Sequence, residues 1–328
     1  MKLLMVVHHQ FDLWNVPAWF VERLSQEFPQ LQIVQRASYD GAEEDLRDAE
    51  ILFAISLGPD QLPAAPKLRW IHAPSAAVHH LLFSELVESD VVVTNSREVH
   101  GTVVAEHVMG LIFALAKKIP QAVKLQQKHA WGQETMWNEG PHPREIAGAT
   151  LGLIGVGSIG GRVAEMASAL GMRVVAVREH VEKGRPAGVE AVFPASALDE
   201  VLRQSDFVVL AAPLISATRG LIDANRLAVM KPDAYLINVG RGEQVDEAAL
   251  LEALRERRIA GAALDVFQRE PLPEDSPLWS AENLLITPHT GSITEKLWHR
   301  HYELFSDNLR RYVEGEPLRF VVDKRKGY

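Results

Sequence analysis

The sequence contains no cysteine, which excludes a disulfide framework, thiolate-bound zinc, iron–sulfur centres and a cysteine nucleophile. Long apolar runs are missing too. The strongest, at 108–116, falls well short of the roughly 20 residues that a membrane-spanning helix needs. The apolar stretch after Lys2 meets His8 and His9 before it reaches the length of a signal sequence. We therefore expect a cytoplasmic protein with no membrane segment. Positive charge is in the minority, with 34 Lys and Arg against 43 Asp and Glu and a formal net charge of −9. Affinity for nucleic acid or anionic lipid comes mainly from basic groups set against phosphate, so neither is expected as a partner. The triplet Lys324, Arg325 and Lys326 is expected to be a solvated tail.

What is present is a globular composition, 47% hydrophobic and 23% charged over 328 residues. That length passes the roughly 250 to 300 residues at which single cores stop growing, so two domains are expected. Short β-rich runs at 3–8, 32–36, 51–56, 68–72 and 91–95 alternate with helical periods. An amphipathic helix at 102–119 should stop at Pro120, and a loop holding Gly132, Gly140, Pro141 and Pro143 follows. Strands then return at 150–155, 173–178, 207–212, 235–239, 261–267 and 284–287. The pattern gives an α/β fold with two Rossmann-like, doubly wound parallel-sheet domains. A last helix at 294–313 is introduced by Ser292 and Glu295, spaced as a capping box.

The sharpest motif is Gly155-Val156-Gly157-Ser158-Ile159-Gly160, with an apolar strand before it and a helical run after it. The first glycine permits a tight turn, the second lets backbone approach a pyrophosphate, and the third lets helix and strand pack closely. A dinucleotide is thus the expected cofactor, held at the helix N-terminus. Some twenty residues on, an acid would bind the ribose 2′-hydroxyl of NAD, but the strand at 173–178 ends on Arg178, which suits the 2′-phosphate of NADP. The other reading leaves Arg178 in solvent and gives the ribose to Glu179.

Three ionisable residues stand where parallel strands should end: Arg241, Glu270 and His289. Ligands in open α/β sheets bind beyond the carboxyl ends of strands. A guanidinium there can grip a carboxylate bidentately, an imidazole can give or take a proton, and a carboxylate can orient that imidazole. Taken singly, each has a structural alternative: a turn cap, a surface acid and a loop histidine. The other histidines lack metal-ligand spacing. Glu106-His107 has no second His one turn on, His299 and His301 sit two apart on a helix, and the pairs His8-His9 and His79-His80 are adjacent. No metal is expected.

The glycine motif, Asn238-Val239-Gly240-Arg241-Gly242, Asp265 with Glu270-Pro271, and Thr287-Pro288-His289 together resemble the D-2-hydroxyacid dehydrogenase family, most of all its glyoxylate and hydroxypyruvate reductases. The resemblance implies a dinucleotide domain at 99–289 inserted into a substrate domain made of 1–98 and 290–328, a cleft between them, and a homodimer. It implies that Arg241 binds a small 2-oxo acid, that Glu270 raises the basicity of His289, and that His289 is acid and base. Gly155, Gly157, Ser158, Ile159, Gly160, Arg178, Pro213, Thr218, Val239, Asp265 and Gly291 would line the dinucleotide. Ser75, Ala76, Ala77 and Val78 match the loop whose N–H groups hold the substrate carboxylate.

Departures from the family pattern are Ala77 and His79 in that loop and Arg178 in place of an acid, which moves the expected cofactor from NAD towards NADP. A rival of another class is a dinucleotide-sensing corepressor of the same fold, for which extended terminal partner segments would be expected. A formate dehydrogenase would carry Gln at position 270. The homodimer is expected to use the helix at 102–119 and the loop with Trp131 and Trp137, unless both tryptophans fold back on their own domain.

Overall fold

A computed structural model describes residues 1–78 and 80–327, so the departure noted at His79 lies outside the described residues. The chain divides into two compact units, Met1–His100 with Thr294–Tyr328, and Gly101–Ile293. The sequence placed these joints at 98/99 and 289/290.

The first unit holds β1 (Lys2–Val6), β2 (Gln32–Arg36), β3 (Ile51–Ala54), β4 (Trp70–Ala73) and β5 (Val92–Asn95). They pair in parallel in the order β2-β1-β3-β4-β5. Successive residues feed opposite faces. Leu3 and Met5 join the core under helices Ala18–Glu27 and Leu297–Glu314, while Leu4 and Val6 join the core on the other face. Phe305 is the keystone of the first core, 4.8 Å from the ring of Phe53 and 5.5 Å from that of Trp70. Beneath these rings lies a buried polar chain. His72 bonds the Thr94 and Ser96 hydroxyls through its two ring nitrogens at 2.8 and 3.1 Å, and His301 meets Ser96 at 3.1 Å. Burial drives the His72 pKa down to about 3. Burial, then the nearby His100 and His72, holds His301 well below the usual range.

The free edge of β5 is covered by the chain's last segment. Val322 donates to the Val93 carbonyl at 2.8 Å, and Thr94 and Val321 form an antiparallel bridge. This corrects the expectation of a solvated basic tail at Lys324, while Arg325 and Lys326 stay exposed as expected. Lys324 Nζ donates to the carbonyls of Leu86, Ser89 and Val91 around the end of helix Ser84–Glu88, where a cation is favoured.

The second unit is a seven-stranded parallel sheet: β6 (Thr150–Ile154), β7 (Arg173–Val177), β8 (Ala191–Phe193), β9 (Phe207–Leu210), β10 (Tyr235–Asn238), β11 (Gly261–Leu264) and β12 (Leu284–Ile286). The order is β12-β11-β10-β9-β6-β7-β8. Both faces are covered, which is why β6 and β9 are buried throughout. The chain runs from β6 to β7 on one side and later to β9 on the other, so the switch point lies beyond Ile154.

Several expectations change. The long helix ends at Ala116, Lys118 turns left-handed (φ 56°), and Pro120 sits in the first turn of a new helix, Ile119–Gln127. Proline is tolerated there because the first-turn N–H groups have no partner within the helix. A further helix, Gln133–Asn138, occupies the supposed loop. The last helix starts at Leu297, with Lys296 at its N-cap and no side-chain cap, so Ser292 and Glu295 form no capping box. Among the described residues no helix is long and apolar enough to cross a membrane.

Candidate active site

The glycine turn follows β6 at the switch point. Gly155 has φ +93°, and a Cβ there would lie 2.7 Å from the Ala212 backbone. A Cβ on Gly160 would lie 2.0 Å from the Gly155 carbonyl oxygen, so strand and helix touch at that pair. Gly157 differs: a Cβ would meet nothing within 4 Å. It is the N-cap of the twelve-residue helix Ser158–Ala169 and supplies no side-chain cap. Open space over an uncapped helix N-terminus suits a pyrophosphate, which brings both the charge and the acceptors that this end favours. The residues present therefore fit a dinucleotide.

Around that turn, Val239 is buried and donates its N–H to the Leu210 carbonyl at 3.2 Å. Thr218 Oγ1 closes its own loop, donating to the Pro213 carbonyl at 2.7 Å and accepting the Ile215 N–H at 2.9 Å. Arg178 lies one residue past the end of β7, so strand alternation does not decide between it and Glu179. Arg178 is half-buried with Nη1 3.3 Å from the Gly184 carbonyl, and Glu179 is exposed.

The three ionisable residues come together beyond β10, β11 and β12. His289 Nδ1 lies 2.6 Å from Glu270 Oε2. Glu270 Oε1 accepts the Phe267 N–H at 2.9 Å, so both carboxylate oxygens are fixed. Burial pushes the Glu270 pKa up, but the bonds from His289 and Phe267 and the charges of His289 and Arg241 outweigh it, and the carboxyl stays below its usual range. Arg241 is drawn down by burial and supported by the charges of Glu270 and Glu243. Its Nη1 donates to the Gly240 carbonyl at 2.6 Å. The loops carrying Arg241 and Glu270 meet at Gly242, where a Cβ would fall 1.9 Å from the Phe267 carbonyl carbon. Glu247 accepts the Gln268 N–H at 2.7 Å and holds the same turn from its other side.

His289 itself has φ +51°, an uncommon state for a residue with a side chain. Its N–H donates to the carbonyls of Asp265 and Thr287 at 2.9 and 3.0 Å. Asp265, buried at the end of β11, accepts from Thr287 Oγ1 at 2.6 Å and from the N–H groups of Thr290 and Gly291 at 2.9 and 3.0 Å. Burial raises the Asp265 pKa, but bonds from His107, Thr287, Thr290 and Gly291 bring the net below the usual range. Gly291 is required there, since a Cβ would sit 2.8 Å from Asp265 Oδ2. His107, which sequence reasoning set aside, lies with Nε2 3.4 Å from Asp265 Oδ1 and 3.1 Å from Thr287 Oγ1. No signal in its own neighbourhood points to a partner so far along the chain.

In the first unit, the Ser75, Ala76 and Ala77 carbonyls accept from the Ser96 N–H, Asn95 Nδ2 and Ser75 Oγ, at 2.9, 2.8 and 2.7 Å. Val78 is buried. Among the described residues no group of three or more His, Asp or Glu is placed to hold a metal ion.

Sheet order and glycine turn define the second unit as a dinucleotide-binding α/β domain. Comparison with known proteins agrees: residues 109–291 match the family described as D-isomer specific 2-hydroxyacid dehydrogenase, NAD binding domain. A glyoxylate reductase of Thermofilum pendens is 36% identical over 290 residues, 85% of this chain and 83% of that protein. A D-3-phosphoglycerate dehydrogenase of Methanocaldococcus jannaschii is 31% identical over 92% of this chain, which spans only 57% of that longer protein. Among solved structures, a D-isomer specific 2-hydroxyacid dehydrogenase from Xanthobacter autotrophicus Py2, in complex with NADPH and MES, superposes with a TM-score of 0.84. It is 31% identical and covers 100% of this chain and 99% of its own. The chain belongs to the D-isomer specific 2-hydroxyacid dehydrogenase family and is an NAD(P)-dependent oxidoreductase.

Proposed function

We propose that the protein reduces a small 2-oxo acid of the glyoxylate and hydroxypyruvate class to its D-2-hydroxy acid, with NADPH preferred over NADH. The observation that carries this reading is the 2.6 Å pair of His289 and Glu270 with Arg241 within electrostatic reach. A reduced nicotinamide, when bound, would supply the hydride that the carbonyl carbon accepts. His289, with Nδ1 held by Glu270, gives a proton from Nε2 to the carbonyl oxygen, and Glu270 balances the charge of the ring before transfer. Arg241 presents two N–H groups to the substrate carboxylate. Asp265 and Gly291 would border the nicotinamide, and Val239, Pro213 and Thr218 would line the rest of the dinucleotide. The glycine turn with Ser158 and Ile159 takes the pyrophosphate.

The cofactor preference rests on Arg178, whose charge favours a 2′-phosphate that a carboxylate would repel. The expected preference is about tenfold or more in kcat/KM, since one hydrogen bond to a charged group contributes roughly 1.5 to 3 kcal/mol. Rates with glyoxylate, hydroxypyruvate and larger 2-oxo acids, each with NADH and NADPH, test both halves of the proposal. Arg178→Asp should reduce or reverse the preference. Equal kcat/KM for the two cofactors in the parent protein would defeat it.

The reading includes a homodimer in the cytoplasm. Trp137 stacks on His142 at 4.1 Å yet stays 57% exposed, and Trp131 is 93% exposed. With Phe113, Ile119 and Val123 also exposed, the segment has the apolar and aromatic character of an interface. Light scattering at micromolar concentration should give twice the chain mass, and a monomer would reject the dimer.

A further inference from the structure

Gln244 has no role in the chemistry above, yet it is a polar side chain with 0% exposure between two functional loops. Its Oε1 accepts the Arg241 N–H at 3.0 Å. Its Nε2 donates to the carbonyls of Ala212 and Pro213 at 3.2 and 3.4 Å. Arg241 follows β10, and Ala212 and Pro213 follow the neighbouring strand β9. Gly240 leaves the room this amide needs, because a Cβ there would lie 2.2 Å from Gln244 Oε1 and 3.2 Å from the Ala212 carbonyl oxygen. An apolar side chain of similar length would fill the volume without bonding either loop. A rigid amide plane instead makes the position of one backbone depend on that of the other.

We propose that Gln244 is a positioning residue that couples the dinucleotide loop at Ala212 and Pro213 to Arg241, so that a filled cofactor site sets the guanidinium for the substrate carboxylate. The proposal rests on the assignment of Arg241 to that carboxylate. Such coupling is reciprocal: the carboxylate ligand tightens the dinucleotide by the same factor that the dinucleotide tightens the ligand.

The test uses the full chain, NADPH and oxamate, a non-reacting analogue of a 2-oxo acid. Titration calorimetry gives the oxamate Kd with and without NADPH. Gln244→Met should cut the ratio of the two by about tenfold, a loss of ~1.4 kcal/mol. The same variant should lose about tenfold in kcat/KM for the 2-oxo acid. Combined with Arg241→Lys, it should add little to the loss from Arg241→Lys alone, because both act on one group. An unchanged ratio, or losses that multiply, overturns the coupling. Should the Met variant melt below the assay temperature, Gln244→Glu decides. It keeps the acceptor for the Arg241 N–H and sets a carboxylate against the two carbonyls of the dinucleotide loop, so the link is cut at one end and the oxamate Kd ratio should again fall about tenfold. An unchanged ratio in this variant overturns the proposal. Arg241→Lys with unaltered 2-oxo acid kinetics removes the Arg241 assignment and the coupling with it, whereas an impaired Arg241→Lys beside a silent Gln244→Met removes the coupling alone.

Discussion

Histidine is used in opposite ways in the two units. His72 and His301 of the first are 0% and 2% exposed, and their nitrogens meet hydroxyls of Thr94 and Ser96. Hydroxyls satisfy a neutral ring and bring no charge, so these histidines are core residues that happen to be polar. His289 of the second unit has 45% of its side chain exposed, and its Nδ1 meets a carboxylate that stays ionised. One ring nitrogen is fixed and the other is reachable. The chemistry thus follows from partner and access, since His72 and His289 both lie near the carboxyl ends of parallel strands.

The contrast can be broken most sharply at His289. His289→Ala should lower kcat by roughly 10² to 10⁴, the usual worth of a positioned acid or base, and steady-state assays of the folded variant would show a normal kcat if the assignment is wrong. Next comes Arg241→Lys, expected to lower kcat/KM for the 2-oxo acid on the order of 10- to 100-fold, because a point charge replaces a planar fork. Dinucleotide affinity, followed by fluorescence titration, should barely move. A smaller effect is expected from Glu270→Gln. The pH optimum for reduction should move to lower pH, as the acid form of His289 then lacks its neighbouring negative charge. A pH–rate profile that stays in place would count against that pairing.

The smallest effect tests the buried side of the comparison. The pKa of His72 falls from 6.5 to about 3 on burial, so its stability contribution is fully present above the unfolded value and is lost as pH drops from there towards the folded one. Below about 6.5 each such histidine should cost at most ~1.4 kcal/mol per pH unit. Thermal melts between pH 7 and 4 should be less steep in pH for His72→Gln, and an identical slope would remove His72 from the account.

Much of this was legible beforehand for physical reasons. Parallel strands buried on both faces read as unbroken apolar runs, and the Gly155, Gly157 and Gly160 turn sits where backbone must pass close to backbone. Strand ends were overrun wherever the apolar run outlasts the ladder, as at Val266 and Phe267 beyond β11. β8 was missed because its three residues are half-buried and too few to show a period. Pro120 was read as a terminator although its missing N–H makes it equally apt for a first turn. His107 and Gln244 could not be found, since each takes its meaning from side chains or carbonyls brought to it by the fold.

One feature of the first unit bears on how the chain is made. The core on one face closes only when Phe305 and Tyr312 reach Phe53 and Trp70, and the unit's β5 edge is covered by Phe320, Val321 and Val322. The 193 residues Gly101–Ile293 stand between those partners. At about 5 to 20 residues per second, a ribosome needs on the order of 10 to 40 s to cross that interval. The strands synthesised first therefore wait for the core of one face, and for cover on an open edge, while the second unit, continuous in sequence, has everything it needs to fold.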